Sequence, residues 1–71
     1  MKTLTGDQLK DMFKQSPRTV AKALAATLVD FGYTSLTEDY VEAEVERLLA
    51  GGQAKGGPSM FIAGWLKDGL D

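Results

Sequence analysis

Neither histidine nor cysteine occurs in this chain of 71 residues. Imidazole and thiolate carry most acid–base, nucleophilic and transition-metal chemistry near neutral pH, so the commonest enzyme machinery is missing. Without cysteine there is no disulfide framework; stability must come from packing, and the expected compartment is reducing and cytoplasmic. Long apolar runs are also missing. The longest weakly polar stretch, Ala23 to Val29, is far too short to cross a bilayer. Met1-Lys2 leads into a polar, capped segment and not into the apolar core of a signal peptide. No membrane association is expected.

What is present is an ordinary globular composition, 44% hydrophobic and 25% charged, which argues against disorder. A chain this short holds one domain (residues 1–71) and must place most of its large apolar residues inside. The fold class expected is all-α, a small four-helix bundle or orthogonal helical array. Thr5 and Gln8 have capping-box spacing, with Leu4 and Leu9 at staple positions and Leu9, Met12 and Phe13 as the buried stripe of a first helix. Ser16-Pro17 ends that helix and starts the second, whose face is Val20, Leu24, Leu28 and Phe31; Gly32 stops it and lets Tyr33 fold back onto Leu28. Thr37 caps a third helix with acids in its first turn and an apolar face of Val41, Val45, Leu48 and Leu49. A flexible Gly-rich connection, 51–58, precedes a fourth helix from about Ser59 to Asp68, with Gly69 as its cap and Leu70 folding back onto Trp65. A β wing at Ser59 to Ile62 ranks lower, because Phe61, Ile62, Trp65 and Leu66 have helical spacing.

The net charge of −2 is unevenly spread. Lys2, Lys10, Lys14, Arg18 and Lys22 dominate the first twenty-two residues, whereas Glu38, Asp39, Glu42, Glu44 and Glu46 crowd the third helix. The two halves either neutralise each other or meet partners of opposite sign. The acids at four-residue steps read as a hydrated face; neither an EF-hand order nor any other metal pattern is present, so no metal or cofactor is expected. The run from Gly51 to Ser59 has glycines and a lysine ahead of a helix. It lacks both the Gly-Lys-Ser/Thr order and the preceding strand of a phosphate loop, and reads as a linker.

Ser16-x-x-Thr19-Val20-x-x-x-Leu24, preceded by Leu9 to Phe13, resembles the turn and recognition helix of bacterial helix-turn-helix repressors. The resemblance covers about a third of the chain and implies that Pro17, Arg18 and Lys22 face DNA with Lys14 near phosphates. Lys10, Lys14 and Gln15 depart from the small, glycine and apolar residues of that pattern, and the plain helix-start reading of Ser16-Pro17 is preferred. The favoured function is a non-enzymatic protein-interaction or regulatory module. Its expected surface is Met60, Gly64 and Trp65 on the fourth helix, Tyr33 in the loop between the second and third helices, and Glu42 and Glu46 on the acidic helix. The partner is another protein or a second copy. A small DNA-binding regulator using Lys14, Pro17, Arg18 and Lys22 is the alternative.

Overall fold

The computed structural model describes residues 4–70, and capping chemistry sets where its helices begin and end. They are α1 (Gly6–Gln15), α2 (Pro17–Asp30), α3 (Glu38–Leu49) and α4 (Pro58–Asp68). Thr5 and Gln8 form the full capping box: the Gln8 N–H donates to Thr5 Oγ1 (3.1 Å) and the Thr5 N–H to Gln8 Oε1 (2.9 Å). Thr37 accepts from the Tyr40 N–H at 3.0 Å and starts α3. Ser16 precedes α2 as expected, but its side chain makes no cap hydrogen bond; Pro17 at the first helical position fixes that start instead.

Two helices end in the same way. Gly32 lies at φ 96°, its N–H donates to Val29 O, and the Tyr33 N–H returns to Leu28 O. Gly51 lies at φ 98°, with its N–H on Leu48 O and the Gly52 N–H on Arg47 O. Both are Schellman turns, which need a residue that tolerates positive φ at that point.

The core takes Leu9 and Phe13 from α1, and Val20, Ala21, Leu24 and Leu28 from α2. Val41 and Val45 come from α3, and Ile62 and Leu66 from α4. A radius of gyration of 10.8 Å is that of a closely packed chain of this length, about 11 Å. Residues 4 and 70 meet in an isolated antiparallel pairing, Leu4 N–H to Leu70 O (2.9 Å) and Leu70 N–H to Leu4 O (2.8 Å). Leu70 is thereby carried to Leu4, and its backbone closes a seam between the segments flanking α1 and α4. Gly6 makes the seam possible: a Cβ there would lie 2.5 Å from Leu66 O and 2.7 Å from Lys67 O.

Several residues assigned to the core lie outside it. Phe31 caps α2 instead of extending its stripe and is 53% exposed. Met12 is 37% exposed, because α2 and α4 cover the Gly6–Leu9–Phe13 side of α1. Leu49, the last residue of α3, is 39% exposed, and Phe61 and Trp65 are only partly buried. Among the described residues no helix is long and apolar enough to cross a membrane.

Candidate interaction surfaces

The C-terminal end of α2 delivers Phe31 and Tyr33 to one flank of α4. Phe31 stacks on Phe61 with ring centroids 4.7 Å apart and planes 29° from parallel. Trp65, one turn further along α4, is 6.1 Å from Phe31 and 6.0 Å from Phe61, and Tyr33 meets Phe61 edge-on at 6.0 Å. These are the offset and edge geometries that aromatic quadrupoles favour. The Gly32 turn explains the arrangement locally. Reversing the chain after Asp30 places rings at 31 and 33 beside a helix whose own rings are four residues apart.

The outward side of α4 continues from this cluster. Ile62 and Leu66 point into the core, so the opposite side presents Met60 and Gly64, one turn apart. Met60 is 57% exposed, the most exposed large apolar side chain in the described residues. A Cβ placed on Gly64 would meet no atom within 4 Å. The position is open surface.

Glu42 lies elsewhere. The acidic side of α3 meets the first turn of α2, where the Arg18 guanidinium reaches Asp39 at 2.5 Å and Glu42 at 3.5 Å. The hydrogen bond to Asp39 and its charge raise the Arg18 pKa above its already high value. Among the described residues, charges from the two halves of the sequence therefore pair across the α2–α3 contact through Arg18 and not through the lysines. Glu42 Oε1 is buried and makes no hydrogen bond, leaving the 3.5 Å Arg18 contact as its compensation. About 20 Å of α2 separates this end from Phe31 and Tyr33, so the structure does not gather the expected protein-binding set into one patch. Glu46, Lys14 and Lys22 are exposed and Pro17 half-buried. Ser16 alone separates α1 from α2, where helix-turn-helix proteins use a turn of three or four residues.

A buried polar cluster went unread in the sequence. Glu44 and Ser59 are 9% and 2% exposed. Arg47 Nε donates to Glu44 Oε1, Arg47 Nη2 to Ser59 Oγ at 3.5 Å, and the Lys55 N–H to the same Ser59 oxygen at 3.3 Å. The Tyr40 hydroxyl donates to Glu44 Oε2 at 3.3 Å. The hydrogen bond from Arg47 holds the Glu44 carboxyl below its ordinary value, against the opposing pull of burial. Burial, and then the Glu44 charge, push the Tyr40 phenol up. The cluster ties the Gly-rich connection to α3 and to the first turn of α4. A Cβ on Gly52 would strike Arg47, so the connection wraps closely around that side chain. The spacing of Glu44 and Arg47, three apart on one helix, is the signal that could have suggested the pair.

Among the described residues no three acidic side chains gather as a metal site. Comparison of the chain with protein-family models, with curated proteins and with solved structures returned no match.

Proposed function

We propose that this domain works by binding another protein, or a second copy of itself, through the outward side of α4 and the aromatic cluster beside it. The observation that carries the reading is the exposed stack of Phe31 on Phe61, with Met60 bare on the adjoining surface. A small domain has few large apolar residues to spare, and here several are spent on the surface in one neighbourhood. Aromatic residues and methionine are the types enriched at interface centres, and Gly64 leaves room for a close backbone approach. Tyr33, Met60, Gly64 and Trp65 belong to this surface, joined by Phe31 and Phe61. Glu42, paired with Arg18, does not.

The duplex-binding alternative is less well supported. Arg18 already sits against two carboxylates, which places negative charge where phosphates would have to approach.

The test compares wild type with a Phe31→Ser, Met60→Ser double variant. Sedimentation velocity from micromolar to millimolar concentration reads self-association, and quantitative affinity capture from the source cells reads binding to other proteins. The reading requires an association of wild type that the variant loses with its circular dichroism unchanged. Identical behaviour of the two proteins in both assays would overturn it.

A further inference from the structure

On the other flank of α4, away from the aromatic cluster, a trough of about 610 Å³ runs between α1, the end of α3 and α4. Its floor is apolar, with Leu48 and Leu49 from α3 and Ala63 and Leu66 from α4. Its rims are cationic: Lys10 and Lys14 stand one turn apart on α1, and Lys67 faces them from α4. No acidic side chain lines it. Among the described residues the one ion pair on these rims is Lys10 with Asp7, at 4.0 Å on exposed side chains. The positive trough exists in an acidic chain because the acids are concentrated on α3, where Asp39 and Glu42 are turned towards Arg18.

We infer that this trough is a docking site for an acidic amphipathic helix of a partner protein. An apolar stripe at helical spacing would cover Leu48, Leu49 and Leu66, and acids flanking that stripe would reach lysines on both rims. The small side chain of Ala63 lets such a helix settle deeply. Charge complementarity on two opposite rims selects this occupant over others. A fatty acid has one carboxylate and would neutralise one rim only. Nucleic acid would set phosphates over a leucine floor. The acidic helix of a second copy cannot serve either, because Val41 and Val45, its apolar stripe, are fully buried in its own core. The inference does not rest on the aromatic surface, and either can fail without the other.

The probe is a synthetic helical peptide with leucines at three- and four-residue steps flanked by glutamates. Controls are the same peptide with lysines for glutamates, decanoate and a DNA duplex. Titrated into the ¹⁵N-labelled chain, the acidic peptide is expected to shift the amide signals of Lys10, Lys14, Leu48, Ala63 and Lys67, and to bind more weakly as salt rises. Lys14→Glu with Lys67→Glu should weaken binding roughly tenfold or more, with the milder Lys14→Gln, Lys67→Gln pair in between. Melting curves of both variants establish that they fold. No shift at millimolar peptide would overturn the inference. So would shifts confined to Phe31 and Trp65, equal binding by the charge-reversed peptide, or tighter binding of decanoate or DNA at the trough.

Discussion

Gly6 and Gly64 are both glycines within helices, and they report opposite things about the two sides of α4. At Gly6 the α1 backbone lies so close to the carbonyls of Leu66 and Lys67 that a single methyl group has no room. At Gly64 the same methyl group would meet nothing. The first is a seam that the fold has closed with its own chain, continued by the Leu4–Leu70 pairing. The second is a surface that the fold leaves open, at a residue that costs its helix about 1 kcal/mol relative to alanine. Identical chemistry at two positions thus marks finished packing in one case and unused space in the other.

The sharpest way to break this contrast is to fill the seam. Gly6→Ala should destabilise the domain by about 3 kcal/mol, the upper end of ordinary overpacking, because backbone and not a flexible side chain stands in the way. That is a large share of what a core of this size supplies. The denaturant midpoint reads it directly, and a change of under about 0.5 kcal/mol, the range of ordinary surface substitutions, would mean that α1 and α4 are not held this closely.

A second, smaller effect concerns the α3–α4 junction. Glu44→Ala leaves the Arg47 Nε–H and the Tyr40 hydroxyl without their acceptor, and should cost about 2 kcal/mol, as for a hydrogen bond to a charged group. The same pair sets a pH dependence. Arg47 depresses the Glu44 pKa in the folded chain below the ordinary 4.5, so the unfolded chain takes up the proton first on acidification. The stabilisation is whole above 4.5 and is lost as the pH falls through the lower folded value. Denaturation midpoints should therefore drop more steeply below that pH in wild type than in Glu44→Ala. Parallel curves would show that the Glu44–Arg47 pair contributes nothing.

The closed parts of the molecule were the more legible ones. Thr5 with Gln8, Thr37, Pro17 and the glycines at 32 and 51 are local signals, each acting through neighbours within a few residues, and each sits where its chemistry placed it. The all-α class followed from them together with helical spacing. Misread residues were those whose fate depends on distant chain. Phe31 has helical spacing from Leu24 and Leu28, yet the α2 stop at Asp30 turns it outward onto Phe61, thirty positions away. Met12 and Leu49 lie at edges of apolar stripes, where coverage depends on which helix packs alongside. Ser59 gave no sign of burial, because its partners Arg47 and Lys55 reach it only after the Gly-rich connection has folded. The open surface was half legible: Met60, Gly64 and Trp65 stood out from α4 alone, whereas joining them to Glu42 assumed a proximity that the length of α2 prevents.

The most direct measurement on the open side is Gly64→Gln, read for thermal midpoint and for association in the same preparations. Glutamine is a far better helix former than glycine and has space at this position, so the midpoint should stay level or rise by an amount equivalent to less than about 1 kcal/mol. Association with the partner or the second copy should be lost, since a bulky polar side chain now stands where a neighbour's backbone would approach. A lowered, concentration-independent midpoint, or association undiminished from wild type, would contradict the account.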